Sequence, residues 1–214
     1  MSAPNTSRPL RSDARRNRAT LVASARELFA REGVDVSVEE ITHHAGLGMG
    51  TLYRHFPTKD ELIDAVLEDA FAEILRLAEE AVAAEDAWAG FTGFLEGSLE
   101  LHAQNRGVKD MLAARRGSGH SEAMRRRMRP LFRQMIERAQ EQGALRSDFA
   151  VEDMPLIFWS AMRVIEATAK VSPETWRRYL GFLLDGLRSE AATPLPVAPL
   201  TGPQLARIRG ARGA

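Results

Sequence analysis

The chain has 214 residues, of which 44% are apolar, and its 29 basic side chains balance 29 acidic ones. A buried core and two domains are expected at this size, and the absence of cysteine excludes disulfide scaffolds, thiolate metal sites and thiol nucleophiles. No apolar run approaches the roughly 18 residues of a membrane span, and the N-terminus lacks the apolar core of a signal peptide, so a cytoplasmic protein without a membrane partner is expected.

The two ends of the chain are polar and rich in proline. Residues 1–14 are predicted to form a flexible basic arm, and residues 191–214 a disordered tail. The first predicted helix covers 15–31, where the apolar side chains recur on one face. These side chains are Leu21, Val22, Ala25, Leu28 and Phe29. Gly33 follows the helix and suits a left-handed cap.

Helix-capping patterns place the next two helices. Ser37 followed by Glu40 is a capping box, which predicts helix 2 over Val38–Ala45, and Gly46 ends it. Helix 3 fits only within 48–56, because the proline that follows forces the preceding residue out of helical geometry. This third helix is therefore only about two turns long.

Helix 4 begins at a second capping box, Thr58 with Glu61, and is predicted over 59–84, with acidic residues opposite its apolar stripe. Ser172 as a cap and Pro173 at the first helical position mark the start of the last helix. Five further helices are predicted, at 87–104, 107–116, 121–142, 151–170 and 173–189. No convincing strand pattern is present, so the predicted fold class is all-α with about nine helices.

Helices 1–3 lie within about 45 residues, and the glycine-containing turn AGLG joins the second to the third. This arrangement predicts a helix-turn-helix, whose second helix inserts its N-terminal residues into the major groove of DNA. Gly48 and Gly50 cost helix stability, but they let the protein backbone approach the DNA backbone closely.

The segment SVEEITHHAGLGMGTLYRHFPTKDELIDAVLEDA resembles the DNA-binding domain of the TetR family of transcriptional regulators. The resemblance implies a helix-turn-helix domain at 15–60, a connecting helix 4 at 59–84, and a helical ligand-binding and dimerisation domain at 85–190. It also implies which residues contact DNA. These are Ser37, Met49, Gly50, Thr51, Tyr53, Arg54, His55 and Lys59.

Two positions depart from the usual family pattern. Met49 stands where many relatives have lysine or another polar residue, and Gly48 replaces a common serine. Because Met49 cannot donate a hydrogen bond, it would read DNA by apolar contact, such as with a thymine methyl group. Sequence reading is therefore expected mainly from Tyr53 and Arg54, while His55 and Lys59 hold the DNA backbone.

Aromatic, methionine and arginine side chains of the second domain are candidates for binding an unknown small-molecule effector. They are Trp88, Phe91, Met111, Arg115, Met128, Phe132 and Trp159. At helical spacing such apolar residues belong to an ordinary core more often than to a pocket, whereas Arg115 is equally consistent with a solvated surface.

The segment at 154–165, MPLIFWSAMRVI, is apolar on nearly every side, which is more than one intramolecular interface requires. Together with the last helix it is predicted to form a four-helix bundle between two subunits of a homodimer. The candidate interface residues are Phe158, Ala161, Met162, Trp176, Tyr179, Leu183 and Leu187.

Enzymatic motifs are not found in the sequence. GLGMG lacks the preceding strand of a dinucleotide loop, and the adjacent His43 and His44 point about 100° apart on a helix and cannot share a metal. No catalytic residue, metal or cofactor is therefore expected.

The predicted function is a ligand-responsive repressor that a small-molecule inducer releases from a quasi-palindromic, double-stranded operator. The alternatives are a helical small-molecule-binding protein or enzyme that no longer binds DNA, and a purely structural helical dimer.

Overall fold

Helices make up almost all the regular structure in a computed structural model of the chain, which describes residues 7–104, 119–190 and 192–211. The described part contains nine α-helices and one 3-10 turn. In chain order they are α1 (Ser7–Glu32), α2 (Val38–Ala45), α3 (Met49–His55), α4 (Lys59–Ala83), α5 (Ala87–Gln104), α6 (Gly119–Glu141), the 3-10 turn (Val151–Asp153), α7 (Met154–Thr168), α8 (Thr175–Leu187) and α9 (Gly202–Ala211). Extended pairing in the same ranges is limited to an isolated antiparallel bridge between Leu145 and Arg188. The all-α prediction is confirmed.

The first of two compact units holds the described residues up to Phe71 and has its own apolar core. The predicted stripe of α1 is buried in this core, and so are Ile41 of α2, Leu52 of α3 and the first apolar residues of α4. The short helices α2 and α3 therefore contribute few buried side chains, and they share one core with α1 and the start of α4.

The predicted caps after α1, at both ends of α2 and at the start of α4 are confirmed. Gly33 and Gly46 take left-handed conformations, with φ of 88° and 65°. The Ser37 hydroxyl accepts the Glu40 N–H at 3.2 Å, and the Glu40 carboxylate accepts the Ser37 N–H at 2.8 Å, which completes the capping box. At the start of α4 the Thr58 hydroxyl accepts the N–H of the residue three positions on, at 3.2 Å.

The second unit contains described residues from 72 to 103 and from 119 onward, and its core is larger and more aromatic. Phe94 makes edge contacts with Phe132 and Phe158, at centroid distances of 5.5 and 6.1 Å. Trp176 of α8 is only 1% exposed and is among the largest fully buried side chains. Edge-to-face packing of this kind adds to the stabilisation from apolar burial.

Several boundaries differ from the sequence predictions. Helix α1 begins at Ser7, so residues 7–14 of the predicted flexible arm are helical; a proline in the first turn is compatible with this start. The last long helix begins at Thr175 rather than at 173, because the Ser172 backbone carbonyl accepts the Thr175 N–H in a preceding turn. The predicted helix at 151–170 begins as a 3-10 turn and ends at Thr168.

The prediction of a disordered tail at 191–214 is wrong over α9. Thr201 and Gln204 form a capping box: the Gln204 side-chain oxygen accepts the Thr201 N–H at 2.8 Å, and the Thr201 hydroxyl accepts the Gln204 N–H at 3.4 Å. Leu205, one residue further on, is 2% exposed.

The predicted helix at 107–116 lies outside the described residues. None of the helices in the described ranges is long and apolar enough to cross a membrane.

Two glycines of the helix-turn-helix are expected to respond oppositely to alanine. Gly46→Ala places a side chain at a positive φ and should lower the free energy of unfolding by about 1–2 kcal/mol. Gly50→Ala lies in helical backbone with open space around the new methyl group, and should raise that free energy by about 0.5–1 kcal/mol. Urea unfolding followed by circular dichroism measures both, and equal signs would contradict the assigned backbone geometry.

Candidate nucleic-acid interface

The turn between α2 and α3 is built by backbone hydrogen bonds. The Gly46 N–H donates to the His43 carbonyl at 3.1 Å, and the Leu47 N–H donates to the Thr42 carbonyl at 3.0 Å. Leu47 is partly buried against the core of the first unit. The left-handed glycine reverses the chain, and the leucine behind it fastens the turn to the core, as the AGLG pattern predicts.

Helix α3 has one buried side chain and an exposed face. Leu52 is fully buried, whereas Tyr53 is 48% exposed and Arg54 and Gly50 are exposed. Residues three and four positions apart lie on one side of a helix, so Gly50, Tyr53 and Arg54 form a single outward face. We call these three residues the α3 face. Thr51 lies beside it and is half-buried.

Met49 is turned partly toward α2. The Thr42 hydroxyl lies 3.3 Å from the Met49 sulfur and 2.9 Å from the Glu39 carbonyl, and Thr42 itself is buried. The Met49 thioether therefore helps to join the two helices of the motif. An apolar contact with a base, as the sequence predicts for Met49, is left to the part of the side chain beyond the sulfur.

His55 is half-buried, and its Nε2 atom is buried without a hydrogen-bond partner. The predicted phosphate contact of His55 would therefore have to use Nδ1. The next residue, Phe56, is 3% exposed and belongs to the core. The Arg18 guanidinium lies 5.2 Å from the centre of the Phe56 ring, so α1 places a cation beside the end of α3.

Ser37 and Lys59 are related through Glu40. The Ser37 N–H and hydroxyl both bind the Glu40 carboxylate and lower its pKa, and the positive charge of Lys59 has a smaller effect in the same direction. Both residues are half-buried. The Ser37 hydroxyl is thus already engaged in the helix cap, and Lys59, at the first residue of α4, is the cation that remains available near that cap.

The candidate effector-binding residues of the second unit do not behave alike. Phe91 and Met128 are buried in the core, which favours the core interpretation for these two. Trp88, Phe132 and Trp159 are half-buried. Met111 and Arg115 lie outside the described residues.

The candidate dimer residues also differ in their burial. Ala161 and Trp176 are buried inside their own chain, so their side chains serve its core rather than a partner. The other five candidates are partly buried against the same core. Phe182 of α8 is 61% exposed, more than any other described aromatic side chain, and the sequence prediction missed it. Phe182 lies one position before Leu183, off the predicted apolar stripe of this helix, which includes Trp176, Tyr179, Leu183 and Leu187.

The chain is similar to known bacterial regulators along most of its length. A family model described as bacterial regulatory proteins of the tetR family matches residues 21–66, and a model described as the C-terminal domain of SbtR-like transcriptional regulators matches residues 84–189. A TetR transcription regulatory protein from Mycobacterium vanbaalenii is 32% identical, over 84% of this chain and 99% of that one, with a TM-score of 0.62.

Two other similarities are informative. A TetR transcriptional regulator from Streptomyces coelicolor is 28% identical, over 80% of this chain and 98% of that one, with a TM-score of 0.61. An HTH-type transcriptional regulator from Staphylococcus aureus is 43% identical over 60 residues, which are 28% of this chain and 32% of the relative. The match therefore spans about a third of the length of such curated relatives.

Proposed function

Because the chain belongs to the TetR family of transcriptional regulators, we propose that it is a homodimeric repressor whose quasi-palindromic operator is released when a small-molecule inducer binds. The observation that carries this proposal is the α3 face, in which Gly50, Tyr53 and Arg54 point outward while Leu52 fixes the helix to the core. A helix with one anchored side and one exposed polar side is suited to enter a groove.

The residues of the α3 face differ in the contacts that they can make with DNA. Arg54 is a fork of hydrogen-bond donors that matches the acceptor edge of guanine, and Tyr53 offers both a ring and a hydroxyl. Gly50 lets the start of α3 come close to DNA. Lys59 carries a point charge and is assigned to a phosphate, which contributes affinity without sequence information. Ser37, Met49, Thr51 and His55 are assigned to supporting contacts around this centre.

Dimerisation supplies the second reading helix. The first 60 residues are not strongly basic, so one copy has few phosphate contacts and affinity has to come from pairing two copies. A twofold dimer presents its recognition helices to major grooves about 34–36 Å apart, or a multiple of that distance, which requires a quasi-palindromic operator. We assign the dimer contact to α7 and α8, with Phe182 added to the five predicted residues that are only partly buried.

The inducer is assigned to the second unit. RolR, a solved relative with 25% identity over 87% of this chain and a TM-score of 0.52, was crystallised with its ligand resorcinol. The half-buried Trp88, Phe132 and Trp159 would suit a small aromatic or apolar molecule of that class. Such a ligand releases DNA only if it binds more tightly to the conformation that does not fit the operator.

Replacing Arg54 and replacing Lys59 are expected to have different effects on DNA binding. Arg54→Ala should cost about 1–3 kcal/mol on the operator and relax its sequence preference, because a base contact is lost. Lys59→Ala should weaken binding to all DNA sequences alike and reduce the salt slope by roughly one, because a phosphate contact is lost. Fluorescence anisotropy with operator and random duplexes, over a series of salt concentrations, separates the two.

The duplexes come from the DNA that flanks the protein's own gene, selected by capture of bound genomic fragments. Glu190→Ala, an exposed charge change in the second unit, serves as the control and should leave both affinities unchanged. Equal losses on operator and random DNA for Arg54→Ala would remove its reading role. Failure of the parent chain to capture any fragment would refute the repressor itself.

A further inference from the structure

Arg146, in the loop between α6 and the 3-10 turn, is the one charged residue that is buried within the described ranges, with 7% exposure. A buried guanidinium is costly unless its donors are satisfied. It is not among the residues assigned to DNA, inducer or dimer contacts. Its partners therefore indicate what the charge is used for.

The guanidinium joins three separate segments. Its Nε and Nη2 atoms donate to the two carboxylate oxygens of Asp148, at 2.5 and 3.0 Å. Nη1 donates to the Gly186 carbonyl in the last turn of α8, at 3.1 Å. Nη2 also donates to the Thr193 carbonyl, beyond the end of α8, at 2.6 Å. A planar fork of donors is well suited to bridge several acceptors at once.

Further hydrogen bonds hold the backbone on both sides of Arg146. The Arg146 N–H donates to the Leu187 carbonyl, and the Ser189 N–H donates to the Ala144 carbonyl, each at 3.0 Å. The Gln140 side chain donates to the Arg146 and Phe149 carbonyls, at 2.9 and 3.0 Å, which fixes the loop from the α6 side. The loop is thus held in a defined shape at the end of α8.

We propose that Arg146 and Asp148 form a clip that docks the proline-containing segment 192–195 and thereby fixes the C-terminal end of α8. The clip recognises backbone rather than side chains. Thr193 is bound through its carbonyl, while the side chains of Leu195 and Val197 are exposed. Pro194 and Pro196 are compatible with an extended backbone of this kind.

Asp148 interacts with the same segment. Its pKa is lowered chiefly by the hydrogen bonds from Arg146, and the Leu195 backbone N–H also contributes. Arg146 therefore holds a carbonyl at 193, and Asp148 attracts an N–H two residues later, which is the spacing of one edge of an extended chain. Helix α9 follows the docked segment, with its buried Leu205 as a further point of attachment.

Hydrogen exchange of the full-length chain in the absence of DNA tests the clip. Arg146→Met should raise the exchange rates of the Ser189 and Ala192 amides by about tenfold or more, because local opening becomes easier. These amides donate to the Ala144 and Ser189 carbonyls, respectively. The Phe94 amide, in the core helix α5, should not change, whereas general destabilisation would raise its exchange rate as well.

Two substitutions at Leu195 test the clip without replacing the buried Arg146. Leu195→Pro removes the backbone N–H that helps to lower the pKa of Asp148 and should raise exchange of the Ala192 amide, whereas Leu195→Ala keeps the N–H and should change it less than about twofold. Thr193→Ala should also be silent, because only its carbonyl is used. Unchanged Ser189 and Ala192 exchange in Arg146→Met, or equal effects of the two Leu195 variants, would overturn the clip.

The consequence for α8 rests on the dimer proposed above and is measured separately. Sedimentation equilibrium of Leu195→Pro should show a dimer dissociation constant raised relative to Leu195→Ala if the end of α8 is held by the clip. A parent chain that is monomeric would refute the dimer while leaving the exchange results, and thus the clip, intact. A dimer equally stable in both variants, with Ala192 exchange raised only in Leu195→Pro, would overturn the proposed control of α8.

Discussion

Phe182→Arg is expected to give a folded monomer that binds a palindromic operator about 10²–10⁴-fold more weakly than the parent chain, which is the range that linked binding sites gain over single ones. Phe182 is 61% exposed, and the Arg178 guanidinium lies 5.0 Å from the centre of its ring. A second arginine at this position would place like charges together and remove the exposed apolar ring that a partner would bury.

Phe182 is a better test of the interface than the residues that the sequence predicts. Trp176 is fully buried in its own chain, so its replacement would damage the core and a lost dimer would say nothing about contact. Leu183 is half-buried and has the same difficulty in part. Because Phe182 is mostly exposed, its substitution should leave the circular dichroism spectrum and unfolding midpoint near those of the parent.

Sedimentation equilibrium gives the oligomeric state, and anisotropy with a full palindrome and with a half-site gives the affinities. The monomer should bind the two DNA molecules almost equally, because only one reading helix is engaged. Val197→Arg is the control, since Val197 is exposed and lies outside α7 and α8. A Phe182→Arg protein that sediments as a dimer would exclude this residue from the interface.

Local patterns predicted the helix ends well because caps depend on residues close in sequence. The Ser37–Glu40 box and the left-handed Gly46 are decided by neighbouring backbone atoms, and α2 has the predicted bounds. The same logic would have found α9, since Thr201 and Gln204 form an equivalent box. The surrounding prolines and small residues nevertheless favour a prediction of disorder for this part of the chain.

Periodicity could not assign the second surface of α8. An apolar stripe shows which side of a helix avoids water, but it does not show whether the burial comes from the same chain or from a partner. Trp176 lies on the predicted stripe and faces its own core, whereas Phe182 lies off the stripe and is exposed. The Arg146 clip was also beyond sequence reasoning, because its contacts with residues 186 and 193 join positions 40 and 47 residues apart.

The candidate DNA face was predictable in outline and less so in detail. Tyr53 and Arg54 are exposed, as their assignment to DNA requires, since they lie opposite the one leucine of a short amphipathic helix. Met49 and His55 turn partly inward because the sulfur meets Thr42 and the imidazole Nε2 is buried. Such orientations depend on neighbouring helices, which spacing along one helix does not reveal.

Leu52→Ala is expected to abolish operator binding while leaving the second unit folded. Helix α3 has seven residues and no side-chain cap at Gly48, so it is too short to be stable alone and depends on the burial of Leu52. Removing a buried leucine side chain costs about 2–5 kcal/mol, a large share of the stability of a small domain. Without this anchor the α3 face has to be ordered again at every binding event.

The three tryptophans make the loss measurable unit by unit. Trp88, Trp159 and Trp176 all belong to the second unit, so tryptophan fluorescence follows its unfolding alone, whereas circular dichroism follows both units. In Leu52→Ala the early part of the circular dichroism transition should move to lower urea and the fluorescence transition should stay in place. Tyr53→Ala, on the exposed side of the same helix, should weaken DNA binding without moving either transition. If Leu52→Ala retained full operator affinity, α3 would not need its anchor, and the physical basis of the proposed reading helix would be lost.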